Sequence, residues 1–203
     1  MARRTGDLVA AGGEMASIHV LAEGYIRDEA PQRVGSTVSL IRDREALIVV
    51  DPGFVATRSA ILDPLRALGV DPERVTDVVL SHHHPDHTVN AALFPNARIH
   101  DHWATYQDDR WISRPAEGFA VSEDVTLIET PGHTPQDITT LARTADGVVA
   151  FTHLWWTAEG PAEDPYAPDP ALLHRHRGRV LELAGRIVPG HGGLFVPDAS
   201  TPR

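Results

Sequence analysis

The run His82-His83-His84-Pro85-Asp86-His87 constrains this chain more than any other feature, because four of its twelve histidines fall between Ser81 and His87. Imidazole is the usual protein ligand for zinc and also suits iron, copper and nickel, while a neighbouring carboxylate adds negative charge. In extended backbone, residues two apart point the same way, so His82, His84 and Asp86 are expected on one side with His87 turned away. One short loop then serves two ions. The sequence has no cysteine, so thiolate sites and disulfides are excluded and any metal rests on imidazole and carboxylate.

A single loop cannot close a coordination shell. Two further histidines follow a strand and a tight Pro-Gly turn: His133 in Thr130-Pro131-Gly132-His133-Thr134, after an expected strand Val125 to Glu129, and His191 in Pro189-Gly190-His191-Gly192, after Arg186 to Val188. Proline fixes the backbone and glycine frees it, which aims a side chain into a cleft from the C-terminal end of a strand. His19, His100, His102, His174 and His176 lie in strands or on a helix and are expected to be exposed or satisfied by ordinary hydrogen bonds. His83 is a spacer at the rim of the cleft.

The pattern around these histidines reads as alternating strand and helix. Strands are predicted at Ser17 to Glu23, Ser36 to Arg42, Ala46 to Val50, Val75 to Leu80, Arg98 to His100, Val125 to Glu129, Asp137 to Ala142, Val148 to Thr152 and Arg186 to Val188. Helices are predicted at Thr57 to Leu68, stopped by Gly69, and at Pro170 to Ala184. Two strand-rich halves, each followed by helix, make an α/β sandwich. With 203 residues and no linker, we expect one domain over residues 16–198 with loose ends at 1–15 and 199–203.

Hydrophobic residues make up 42% of the chain and its formal charge is -10. The first excludes wholesale disorder, and the second disfavours a nucleic-acid partner. No apolar stretch is long enough to span a membrane, so the expectation is a cytoplasmic protein acting on a small-molecule substrate. Trp155, Trp156 and Tyr166 flank or lie within a polar, Pro-containing loop and are candidate walls of a substrate pocket, against the alternative of a patch tying that loop to the core. Trp103 and Trp111 are expected in the core or at an interface, which leaves room for a homodimer. Arg110 and Arg114 are candidate attractors of an anionic substrate, against the alternative of solvated charge.

The His-X-His-X-Asp-His run, the strand ending Asp51-Pro52-Gly53, Pro131-Gly132-His133-Thr134 and Pro189-Gly190-His191-Gly192, taken in order, resemble the metallo-β-lactamase superfamily. Asn90 to Pro95 and Pro131 to Asp137 look most similar to its domain-containing protein 1 subfamily, whose resemblance brings in nuclease activity as a branch opposed by the net charge. The superfamily resemblance implies a four-layer αββα sandwich of α/β class. It also implies a first metal on His82, His84 and His133, a second on Asp86, His87 and His191, and Asp51 as an outer partner of a ligand imidazole.

One position departs from that pattern. Where the superfamily carries an aspartate bridging both metals, this chain has His153 in Phe151-Thr152-His153-Leu154. His153 is read either as a fourth histidine on the first metal, beside His82, His84 and His133, or as a residue that has lost ligation or was placed to disable or retune the site. The implied activity is a hydrolase holding one or two zinc ions, with iron or manganese open. Metal-bound hydroxide would attack an ester, thioester, lactone, amide or phosphoester while Asp86 orients or deprotonates the water. The alternatives are a mononuclear iron redox enzyme and a metal- or ligand-binding protein without turnover.

Overall fold

The computed structural model describes residues 15–203; all but the last residue of the expected loose segment 1–15 lies outside the described residues. Among the described residues, thirteen strands form two facing sheets and a small ribbon. The larger sheet is built from β1 (Ser17–Ala22), β4 (Val38–Asp43), β5 (Ala46–Val50), β6 (Asp77–Val79), β7 (Arg98–His100), β8 (Ala104–Gln107) and β9 (Arg110–Ser113), in that spatial order. The smaller sheet runs β10 (Val125–Glu129), β11 (Ile138–Thr144), β12 (Gly147–Phe151), β13 (Arg186–Val188). A separate antiparallel ribbon pairs β2 (Tyr25–Arg27) with β3 (Arg33–Gly35).

Strict alternation along the strands explains the layering. On β5, Ile48 and Val50 face the second sheet, where they meet Leu127, Ile138, Val149 and Phe151 in the central core. Leu47 and Val49 point outward, beneath helix α1 (Ser59–Ala67), whose Ile61 and Leu65 cover them. On the far side, Ala150 and Ile187 lie beneath helix α3 (Pro170–Leu183), with Leu173 and Val180 above them. Period-2 strands with two apolar faces, each covered by a period-3.6 helix or another sheet, make the four-layer αββα sandwich. No helix among the described residues is long and apolar enough to cross a membrane.

The expected strands and both expected helices are present with small shifts in their ends, and three features are additional. The ribbon and the β8–β9 hairpin were not predicted, because strands of three or four residues with mixed polarity carry no readable period. Helix α2 (Pro85–Thr88) is the third, a single turn where extended backbone was expected. Of the two places expected for Trp103 and Trp111, the core is ruled out: Trp111 sits on the outermost strand β9 and is 64% exposed, and Trp103 is also exposed. At the C-terminus the Trp155 indole N–H donates to the carbonyl of Pro202 at 2.8 Å.

A buried carboxylate ties the middle of the large sheet together. Asp77 on β6 lies 2.7 Å from Nε2 of His100 and 2.8 Å from the Arg98 guanidinium, both on β7. Burial alone would raise the Asp77 pKa, but hydrogen bonds from His100 and Thr76 and the charge of Arg98 outweigh it, holding the carboxyl below the ordinary aspartate range. A carboxylate whose folded pKa is depressed contributes stability above its unfolded value of ~4 and loses it as pH falls through the folded value. We therefore expect Asp77→Ala to cost about 3 kcal/mol in urea unfolding at pH 7, with the deficit shrinking at pH 3. An equal deficit at both pH values would contradict this account.

Candidate metal centre

The strands deliver the functional side chains to one edge of the sandwich. β5 and β6 run parallel, and so do β12 and β13; β10 is antiparallel to β11 and β11 to β12, which gives β10 the direction of β12. Asp51, His82, His133, His153 and His191 each stand within four residues of the C-terminal end of one of these five strands. The edges of the two sheets are joined there by backbone bonds from Ile138 N–H to the Ser81 carbonyl (2.9 Å) and from Thr37 N–H to the Gly190 carbonyl (2.8 Å).

The histidine loop does not stay extended. After Pro85 it coils into α2, which swings His87 into the same pocket as His82 instead of away from it: the two rings are 4.4 Å apart, and His87 is fully buried. Proline at the first helical position suits this, since its missing N–H would be unpaired there anyway. Gly53 is required for the same reason. A Cβ on it would lie 1.6 Å from the Asp86 carbonyl oxygen, and its neighbour Phe54 donates its N–H to that oxygen at 2.8 Å. Asp51-Pro52-Gly53 is thus the seat on which α2 rests.

Three groups of side chains place one donor atom each within 4.8 Å of one another: His82, His84 and His133; Asp86, His87 and His191; and His82, His87 and His153. The first two coincide with the sets named from the sequence. His153 falls between them instead of beside His84: its Nε2 is 3.0 Å from Nε2 of His191, and its ring is 4.2 Å from that of His133. It stands where a residue touching both sets has to stand. Gly190 makes the space, since a Cβ there would be 2.3 Å from the His153 ring.

Four of the six rings are oriented by a partner on their other nitrogen. Asp51 Oδ2 is 3.0 Å from His87 Nδ1, with its Oδ1 accepting from the Ser81 N–H at 2.7 Å. Ser81 Oγ is 3.0 Å from His82 Nδ1, and the Gly35 carbonyl is 3.0 Å from His191 Nδ1. Asp51 is held at φ 50°, a left-handed conformation that aspartate tolerates better than most residues. Asp164 Oδ2 is 2.7 Å from His133 Nδ1 and accepts from the Trp156 indole at 3.0 Å. Although burial raises the Asp164 pKa, these bonds and that from the Tyr166 N–H hold it below the ordinary range. Asp164 was missed in the sequence because it lies 31 residues from His133 in an aperiodic loop; a carboxylate in a Pro-rich loop rich in aromatics was the only available signal.

The nitrogens left over are what a metal would use. His82 Nε2, His87 Nε2 and His153 Nδ1 are buried with no hydrogen-bond partner, a state that buried polar atoms rarely occupy without reason. Burial and the neighbouring imidazoles push the pKa values of His82 and His153 well down, and push His191 down to about 4. These rings are neutral at neutral pH, with lone pairs available. A cluster of imidazoles and one carboxylate, four of its rings fixed by an outer partner, fits divalent metal.

Above the cluster lies a cavity of about 380 Å³, and of the three proposed pocket aromatics Trp156 and Tyr166 line it, their rings stacked 5.8 Å apart. Trp155 does not, which corrects the expectation: it is fully buried under α3, packed against Arg177. Arg177 itself donates to the carbonyls of Leu154, Pro161 and Ala162 and so fastens the loop that carries Asp164. His100 and His176 are satisfied by Asp77 and by the Pro131 carbonyl, and His83 by Asp101. Arg110 and Arg114 do not line the cavity; Arg110 pairs with Asp108 and Arg114 bonds the Asp101 carbonyl.

Asp164→Asn keeps the shape of the side chain but loses its charge, and should weaken zinc affinity about 10- to 100-fold. Competition with a chromophoric chelator measures this, and affinity unchanged within error would show that Asp164 does not act through His133.

Comparison with known proteins bears on the same residues. The family model described as the metallo-beta-lactamase superfamily matches residues 31–195. A Xenopus laevis protein named metallo-beta-lactamase domain-containing protein 1 is 31% identical over 193 residues, covering 90% of this chain and 82% of that one. Among solved structures, a metallo-beta-lactamase-like protein of Thermotoga maritima superposes with a TM-score of 0.74 at 20% identity, over 91% of this chain and 100% of that one. A dizinc quorum-quenching lactonase in complex with N-hexanoyl-homoserine product superposes with a TM-score of 0.60 at 19% identity, over 84% and 78%.

Proposed function

The chain belongs to the metallo-β-lactamase superfamily, and from that premise we propose that it is a zinc-dependent hydrolase of a small ester-, thioester-, lactone- or amide-type substrate. The observation that carries the reading is the convergence of unpartnered buried imidazole nitrogens beneath an open cavity. His82, His84 and His133 would hold one ion, and Asp86, His87 and His191 a second, with His153 reaching between the two sets. A divalent ion bound there supplies Lewis acidity, lowering the pKa of water toward ~7 and stabilising charge that develops on an oxygen under attack.

The chain's own residues supply the rest. Asp86 is part-exposed to the cavity, its Oδ2 3.6 Å from His87 Nε2 and 3.7 Å from His191 Nε2. From that position it orients the attacking water and accepts its proton, which then passes to the leaving oxygen, sulfur or nitrogen as the acyl bond breaks. Asp51 and Asp164 keep His87 and His133 in the tautomer whose free nitrogen faces the pocket. They also place two negative charges around a centre that lacks a bridging carboxylate. Trp156 and Tyr166 wall the cavity.

The test is hydrolysis of 4-nitrophenyl acetate by zinc-loaded protein and by protein stripped with chelator. Turnover that vanishes on stripping and returns with zinc supports the reading, and turnover indifferent to metal contradicts it. The two-histidine, one-carboxylate group Asp86, His87 and His191 also has the donor set of non-haem iron sites. One iron per chain with no hydrolysis would favour that chemistry.

A further inference from the structure

We propose that the free edge of strand β9 pairs with β9 of a second copy of this chain, joining two large sheets across a two-fold axis. The proposal goes beyond the hydrolase reading and does not depend on it. It begins with how the other sheet edges end. β10 is covered by the segment before it: the Gly118 N–H donates to the Leu127 carbonyl at 3.0 Å, and the Leu127 N–H to the Phe119 carbonyl at 2.8 Å. β13 is covered by Phe195, which exchanges two backbone bonds of 2.9 Å with Ile187. β1 carries a register shift between Val20 and Ala22. Covers and bulges are ordinary protections of a sheet edge against a foreign strand.

β9 has neither. Its register against β8 runs unbroken from Arg110 opposite Gln107 to Ser113 opposite Ala104, and no proline interrupts it. All four residues are exposed, Ile112 by half. The one charged side chain, Arg110, is tied to Asp108 of its own turn at 3.3 Å. The backbone is equally open. The Arg114 N–H donates to the Trp103 carbonyl on the β8 side at 3.0 Å. Backbone groups alternate between the two sides of an antiparallel strand, so Arg110 and Ile112 also turn theirs to β8, while Trp111 and Ser113 turn theirs outward. Among the described residues no backbone bond outside the β8–β9 pair reaches Trp111 or Ser113.

The hairpin is complementary to itself in one register. A two-fold antiparallel pair centred on Arg110 sets that residue opposite its own copy, and one centred on Ile112 sets Arg110 opposite Arg114. Both bring like charges directly together, which is destabilising. Centred on Trp111, the two Trp111 residues exchange N–H and carbonyl bonds, Arg110 lies opposite Ile112, and the turn residue Asp108 comes opposite Arg114. Opposite charges then meet at both ends. Within one copy Tyr106 and Trp111 pack edge to face at 4.8 Å, so this register continues the contact into an aromatic row across both copies and covers the exposed indoles. The contact is isologous, the form that closes at a dimer.

Sedimentation velocity on zinc-loaded full-length protein tests the proposal. The species expected at high micromolar concentration has twice the mass of one chain and dissociates on dilution, as a small interface should. Trp111→Lys, at an exposed position, is expected to weaken the dimer about 30-fold or more with circular dichroism and zinc content unchanged. Ser113→Pro keeps the indole and removes only an outward N–H, and should weaken the dimer as well. A monomer at every concentration, or a dimer that Trp111→Lys leaves intact, would overturn the proposal.

The register is read by cross-linking, because the chain has no cysteine of its own. Directly opposite residues that do not share backbone bonds have Cα atoms ~4.5 Å apart, within disulfide reach. The double variant Arg110→Cys with Ile112→Cys should therefore close into a covalent dimer under oxidised glutathione. Neither single variant should, since each cysteine then meets its own copy only across a diagonal of ~7 Å or more. Single variants that cross-link as readily as the double one would contradict this pairing.

Discussion

His84→Ala and His133→Ala should each leave a folded protein that has lost its tightly bound zinc and its hydrolysis. The expected fall exceeds the ~100-fold that loss of an outer hydrogen-bond partner costs. Neither ring belongs to the three apolar cores, so circular dichroism should hardly move; the urea midpoint should hold for His84→Ala and fall for His133→Ala, which takes a partner from the buried Asp164 carboxylate. The two rings meet edge to face with His133 Nε2 3.1 Å from His84 Nδ1, close enough for both nitrogens to hold one cation. Metal retained at wild-type affinity in either variant would remove both residues from the centre.

The second large effect is expected from His153→Asp. Two divalent ions would bring four positive charges against Asp86, with Asp51 and Asp164 only as outer partners. We therefore expect the wild-type centre to fill unequally, one ion held tightly and the second weakly. A carboxylate at residue 153 lies between both sets and adds a negative charge within reach of each. At an effective dielectric of 20 a charge pair ~4 Å apart is worth about 4 kcal/mol; even a fraction of that tightens the second site more than tenfold. Hydrolysis should rise with it. Aspartate is also smaller than the ring it replaces, so Gly190 presents no obstacle. Unchanged stoichiometry in zinc titration would show that residue 153 does not touch the second ion.

What could be read in the sequence was whatever local chemistry dictates. The strand before each histidine, the Pro-Gly turns after β10 and β13, and the helix stop at Gly69, which sits at φ 73°, follow from side-chain alternation and backbone freedom within a few residues. What could not be read depends on register in three dimensions. Trp155 and Trp156 are adjacent and chemically alike, yet one is sealed beneath α3 and the other faces the cavity, a choice made by the packing of Leu173 and Arg177. Asp164 reaches His133 only because Arg177 gathers the loop by three backbone carbonyls. The ribbon, three residues a side, has no period to detect, and it carries the apolar wall opposite Trp156 and Tyr166. His87 faces away only on an extended loop, and the turn of helix that Pro85 starts brings it inward.

The most direct test of the metal centre is elemental analysis of the full-length protein after equilibration with excess zinc and removal of free ion. One zinc per chain held through gel filtration, with a second filling only when zinc is supplied, is the result this account predicts. A folded protein that retains no metal would contradict it, because His82, His87 and His153 would then keep buried, unpartnered nitrogens for no purpose that the structure supplies.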